Sequence, residues 1–269
     1  MIAEESTAWP LVTAPPEEGG LGFHFKWNMG WMNDSVSYIE TDPYFRKHAH
    51  EKLTFPLCYA FSENYILPIS HDEVVHGKRS LLDKMPGSYD EKFAGFRSFL
   101  LFMLSQPGKK LLFMGSELGQ FSEWKYDDEL DWMLLDFEKH RLTQDYVREV
   151  NHFYQRNRCM WESDDMGWDG FRWISADDRE KNIISYRRID SSGNELLFVI
   201  NFAPVYREGY GVDVPKKRNY HEVFTTDDPR FGGGGVFNKG DLKPIQKPEN
   251  DEEQYIQVNL PPLGGIVLK

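Results

Sequence analysis

Over residues 1–164, short apolar runs alternate with longer stretches in which apolar residues recur every three or four positions. The short runs, at residues 2–3, 21–27, 65–70 and 110–114, read as strands. Between them, Met32, Val36 and Ile39 repeat at helical spacing, and Phe93, Phe96, Leu100 and Leu104 form a longer stripe. Ser88 followed by Glu91 is a capping-box signature in front of that stripe, and Pro107-Gly108 stops it. Thr143 is placed to cap a last helix carrying Val147, Val150 and Tyr154 on one face.

Near Trp161 the pattern changes. Residues 183–189 and 196–202 are strand-like and flank Ser191-Ser192-Gly193-Asn194, a hairpin signal. Residues 212–214, 221–224, 255–260 and 266–268 continue in the same way. The expected architecture is an α/β domain over residues 1–164, followed by a β-sandwich of about 100 residues over 165–269. Glycine-rich residues 231–235 have no helix behind them, so they read as a mobile loop rather than a phosphate cradle. The first domain shows about four strand–helix units, where a closed (β/α)8 barrel needs eight. Half a barrel leaves sheet edges open. The opening residues, Met1 to Thr7, read like the end of a buried strand entered midway, so a piece of a longer chain is expected.

Composition narrows the partners. A net charge of −12 over 269 residues repels phosphate backbones and anionic lipid, which disfavours nucleic acid and membrane surfaces. A neutral substrate fits better, and eight tryptophans offer flat faces for sugars, although most are expected in the core. No apolar run is long enough to span a bilayer, and the first residues lack a signal-peptide pattern. Cys58 and Cys159 lie far apart and read as free thiols, which with the absent signal suggests the cytoplasm.

Acidic residues gather where strands end: Glu4 and Glu5 after the first run, and His71, Asp72 and Glu73 after the third. In barrels of parallel strands, residues at the C-terminal strand ends face the active site. Glycosidic bond cleavage needs a carboxylic acid for the leaving oxygen and a carboxylate to meet oxocarbenium charge. Solvated loop charges are the competing reading of the same spacing. Strand alternation lets only one of Glu4 and Glu5 face the pore, without saying which. His71 and His76 are five apart rather than the four of a helical zinc motif, with Val74-Val75 between, so no metal is expected.

Four stretches make the resemblance specific. Met1 to Thr7 is similar to the third conserved region of branching enzymes in the α-amylase superfamily, and Ile69 to Lys78 to the fourth. The segment Phe25 to Asp34 resembles the one between those regions. Leu112 to Glu117, Glu123-Trp124 and Leu130 to Trp132 resemble the one that follows. The order is preserved, and the resemblance runs along the whole chain.

This resemblance implies strands five to eight of a (β/α)8 barrel of the TIM type, followed by the β-sandwich. It implies an enzyme of glycogen biosynthesis that cuts an α-1,4-glucan and transfers the piece to a 6-hydroxyl by retaining double displacement. Glu4 would be the general acid/base, protonated to donate and then ionised to activate the acceptor, a task suited to a buried carboxyl near other carboxylates. Asp72 would stabilise the transition state and His71 would bind the same sugar. Trp27, Trp31 and Trp124 are candidate sugar platforms, with core packing the alternative for each. Glu117 and Asp131 would organise loops at the barrel mouth. No metal or organic cofactor is implied. The family nucleophile, an Asp in a Gly-Phe-Arg-x-Asp stretch, has no counterpart here, so the chain is expected to need the N-terminal half of the barrel and to be inactive alone. A related glucan hydrolase and a non-catalytic α-glucan-binding module are the competing readings.

Overall fold

The computed structural model describes residues 1–248 and 250–269. Four short parallel strands lie side by side in chain order: β1 (Ile2–Ala3), β2 (Phe25–Trp27), β3 (Tyr65–Ile69) and β4 (Lys109–Leu112). Helix α1 (Met29–Glu40) and the single turn α2 (Glu51–Thr54) follow β2. Helix α3 (Tyr89–Ser105) leads from β3 to β4, and α4 (Glu138–Arg156) follows β4.

Helices therefore follow three of the four strands. Between β1 and β2 the described chain makes a loop with one 3-10 turn at Pro16–Glu18, because Pro10, Pro15 and Pro16 remove donors and Gly19 and Gly20 weaken helix. The loop folds on itself: Leu21 N–H donates to the Leu11 carbonyl and Phe23 N–H to that of Val12. The second strand is accordingly shorter than the expected 21–27. The Ser88/Glu91 capping box is formed as expected. Thr143 is not a cap. The helix formers of residues 138–142 start α4 earlier, and the buried Thr143 hydroxyl donates to the Lys139 carbonyl at 2.7 Å.

The second part is antiparallel. A five-stranded sheet has the order β5 (Phe171–Asp178), β6 (Ile183–Ile189), β7 (Glu195–Asn201), β12 (Gly264–Leu268), β9 (Glu222–Thr225). A three-stranded sheet, β10 (Ile245–Lys247), β11 (Asn250–Leu260) and β8 (Arg207–Val214), packs on one of its faces. Along β7, Leu197 and Val199 point into the core between the two sheets, while Leu196, Phe198 and Ile200 join the core around α3. Burial on both faces explains why this strand reads as an unbroken apolar run.

Helix α3 lies in that second core. Its sides are buried nearly all round, as expected for a helix with apolar residues on every face. Gly265 of β12 permits its close approach, since a Cβ there would stand 2.8 Å from Leu101 Cδ2. Buried cations bolt the same seam. Arg46 donates to the Phe202 carbonyl at 2.6 Å, Arg97 to that of Thr226 at 2.8 Å, and Arg188 to that of Ser105 at 2.7 Å. The glycine-rich loop after Phe231 is pinned rather than open: Gly234 and Val236 donate their N–H groups to the two Asp227 carboxylate oxygens at 2.8 and 2.9 Å.

Candidate active site

The C-terminal ends of β1 to β4 form one edge of the parallel sheet, and the residues singled out in the sequence divide along it. Ala3 turns into the sheet, and the two glutamates after it differ. Glu5 is half-buried and lies 2.9 Å from the Lys26 ammonium, which is 4% exposed. Its carboxylate also accepts the Thr7 N–H at 2.8 Å. Hydrogen bonds from Thr7 and then Lys26 pull the Glu5 carboxyl down to about 2, so it stays ionised at neutral pH and cannot donate a proton. Lys26 further donates to the carbonyls of Thr7 and Trp9, holding the loop that leaves β1. Glu4 is exposed. The sheltered setting expected for Glu4 is thus not found among the described residues, which leave its side chain exposed.

Across β2, the end of β3 carries His71 and Asp72 on a tight turn. Ser70 and Glu73 form a capping box there: the buried Glu73 carboxylate accepts the Ser70 N–H at 2.6 Å and hydroxyl at 2.8 Å, and the Ser70 oxygen accepts the Asp72 N–H. Of the three polar residues in the run, Glu73 is therefore committed to the backbone, while His71 and Asp72 remain 46% and 49% exposed with His71 Nε2 3.4 Å from Asp72 Oδ1. The Ser-x-x-Glu spacing that announces this cap was present in the sequence at 70–73.

The loop after β4 closes around this turn. Trp124 N–H donates to the Val74 carbonyl at 2.8 Å, and its ring meets His71 edge-on at 5.9 Å and Phe113 at 5.1 Å. Glu123 accepts the N–H groups of Gly77 and Arg79 at 3.0 and 2.7 Å and pairs with the fully exposed His76 at 3.3 Å. The two backbone N–H bonds, largest first from Arg79, hold its carboxyl below the usual range. Glu123 and Lys26 act here through backbone anchoring, and their partners lie far away in sequence, where no short motif could show them. Glu117 sits half-buried in a 3-10 turn and Asp131 precedes another.

The three tryptophans separate. Trp31 is a core residue, 2% exposed and stacked on Phe99 and Phe102 at 6.4 and 6.3 Å, so its expected place as a sugar platform is corrected: helix α1 turns that side of its stripe toward α3. Trp27 lines an open cleft of ≈ 570 Å³ together with Glu5, Trp9, Lys26 and Tyr59. Trp124 is partly buried and supports His71. Among the described residues, no helix is long and apolar enough to cross a membrane.

Residues 173–269 match the family described as alpha amylase, C-terminal all-beta domain. The whole chain is 50% identical over 270 residues to the 1,4-alpha-glucan branching enzyme GlgB of Halothermothrix orenii, covering 43% of that protein. It is 51% identical to the enzyme of the same name from Bacillus cereus strain AH187, covering 42%. The chain thus spans less than half the length of these curated relatives. Among solved structures, it superimposes on pullulanase type I from Bacillus subtilis, complexed with maltose, with a TM-score of 0.67 at 14% identity, covering 100% of this chain and 39% of that one. An alpha-amylase from H. orenii gives 0.58 at 14% identity, covering 99% and 52%. At such identities the likeness is one of fold.

Proposed function

We infer from its likeness over its whole length to 1,4-alpha-glucan branching enzymes that this chain is the part of such an enzyme that carries the acid/base, the transition-state carboxylate and the C-terminal β-sandwich. In this reading β1 to β4 are strands five to eight of a (β/α)8 barrel, residues 1–164 belong to that barrel, and residues 165–269 form the sandwich domain. The first four strands and the nucleophilic carboxylate come from a preceding part of the enzyme.

The observation that carries the reading is the placement of Glu4 and Asp72. Both follow parallel strands at the same edge of one sheet, separated by a single strand, which sets the two strand ends roughly 10 Å apart. A glucan bound across that edge meets both. Glu4 protonates the glycosidic oxygen as the nucleophile attacks the anomeric carbon, and the α-1,4 bond breaks to leave a glucosyl ester. Ionised Glu4 then takes the proton of an incoming 6-hydroxyl as it displaces the carboxylate, and the α-1,6 bond forms with retained configuration. Asp72 and His71 bind hydroxyls of the same sugar, and the Ser70/Glu73 cap and Trp124 hold them in place. Glu5 takes no part in proton transfer, because Lys26 and Thr7 hold its charge. The preceding barrel strands would also cover Glu4. Trp27 faces a cleft and is the platform retained. A cytoplasmic setting agrees with the two unbridged thiols, Cys58 and Cys159.

The test supplies the chain with a polypeptide that encodes the preceding four strand–helix units. The assembled enzyme is expected to reduce amylose–iodine colour without new reducing ends, and Asp72→Asn to lower this by about 100-fold or more. Equal activity of the isolated chain, abolished by Asp72→Asn, would refute the need for the other half. Release of reducing ends would make it a hydrolase.

A further inference from the structure

We propose that the groove between the α1–α2 connection and the β-sandwich is a second glucan-binding site, separate from the strand-end carboxylates. The choice of a glucan rests on the function proposed above; the groove itself rests on its own geometry.

The groove holds ≈ 480 Å³. One wall comes from Asp42, Pro43, Tyr44 and Lys47, the other from Asn182, Val205 and Arg207 of the sandwich. Both walls are fixed. Arg46, 2% exposed, donates to the carbonyls of Thr41, Ile39 and Phe202, and His50 Nε2 lies 3.0 Å from the Ala176 carbonyl. Asn182 donates to the Pro43 carbonyl at 3.0 Å, across the groove floor. The backbone walls are therefore set before ligand arrives, and only side chains on the rim have to move.

The lining selects a neutral, hydroxyl-rich ligand. Tyr44 is 80% exposed and Phe45 meets it edge-on at 5.0 Å, so a flat ring is presented from a supported position. Rings of this type stack on the apolar faces of sugars. Charges of both signs surround it, with Asp42, Glu91 and Glu180 opposed by Lys47 and Arg207, and Lys47 pairs with Glu180 at 3.2 Å. Neither an anion nor a cation is favoured by such a rim. Among the described residues, two buried polar atoms of the lining find no protein partner, Asn182 Oδ1 and Arg207 Nε. Buried polar atoms are normally satisfied. One of these accepts and the other donates, and a sugar hydroxyl does both. Both are closed to solvent as they stand, so hydroxyls reach them as the long Arg207 side chain swings aside.

The probe is maltoheptaose, titrated calorimetrically into the isolated chain, with migration through amylopectin gels as a second readout. Tyr44→Ala and Arg207→Met, each checked for an unchanged Tm, are expected to weaken binding about fivefold or more. Lys217→Ala and Val223→Ala, at exposed positions that line neither the groove nor the Trp27 cleft, are expected to keep it within twofold of the starting chain. No binding by the starting chain, or binding that ignores Tyr44→Ala and Arg207→Met, overturns the groove. The two readings fail separately: loss of affinity in Asp72→Asn alone removes the groove and leaves the strand-end site. Failure of the assembled enzyme to branch removes the proposed function and leaves an affinity that depends on Tyr44.

Discussion

The Lys26 ammonium stands 2.9 Å from the Glu5 carboxylate and thereby decides which of two adjacent glutamates is free at the end of β1. The pair joins neighbouring strands and fastens the loop that carries Trp9. Since the Glu5 carboxyl is depressed to about 2 from its usual 4.5, its contribution to stability is complete above 4.5 and is lost as pH falls toward 2. We expect acid to loosen this loop first. Fluorescence of Trp9, titrated from pH 6 to 2 in the chain and in Glu5→Gln, checks it; the variant should lose the transition in that window.

Trp31 and Trp27 lie four residues apart and should respond oppositely. Trp31→Ala empties a stacked site in the core and should cost about 3 to 5 kcal/mol in urea unfolding. Trp27→Ala removes a half-buried ring beside an open cleft and should cost less than about 1.5 kcal/mol. Comparable losses would contradict the assignment of one to core and the other to cleft.

Glu73→Ala leaves the Ser70 N–H without its acceptor in a buried turn. A loss of about 1 to 3 kcal/mol in thermal unfolding is expected. In the assembled enzyme the same variant should lower turnover as well, because the turn carries His71 and Asp72. Glu73→Gln, which keeps an acceptor, should recover most of the stability.

Gly265→Ala places a methyl group 2.8 Å from Leu101 Cδ2 and 3.2 Å from Ile200 Cγ1, in a filled core. Overpacking of this kind should cost about 1 to 3 kcal/mol. Leu101→Ala in the same chain should relieve part of it, so that the double variant is less destabilised than the two single costs added. Additive costs would show that α3 and β12 do not press on one another.

Much of the fold was legible because it rests on local pattern. The Phe93 to Leu104 stripe, the Ser88/Glu91 box and the hairpin at Ser191 to Asn194 each need only near neighbours, and all three stand where the pattern put them. Thr143 misled because a capping residue type also serves inside a helix once its hydroxyl turns back to a carbonyl. Within the site, His71, Asp72 and Glu4 were visible as strand-end residues, but their surroundings were not. The Glu5–Lys26 pair spans β1 and β2, and Glu123 reaches back to Arg79 from the next loop; both depend on parallel strands pairing. The helical spacing that Trp31 shares with its neighbours could not say which side of α1 faces α3.

The position of β12 bears on how the chain comes into being. It follows the other four strands of its sheet in sequence, yet it lies between β7 and β9 and supplies Gly265 to the face against α3. During synthesis, Leu101 leaves the ribosome more than half a chain length before Gly265. In that interval the apolar helix and one edge of β7 have no final partner, which is the condition under which nascent chains recruit chaperones or aggregate. Translation that stalls before residue 264 therefore releases more than a shortened sandwich: it releases the helix behind the strand-end carboxylates with one side uncovered.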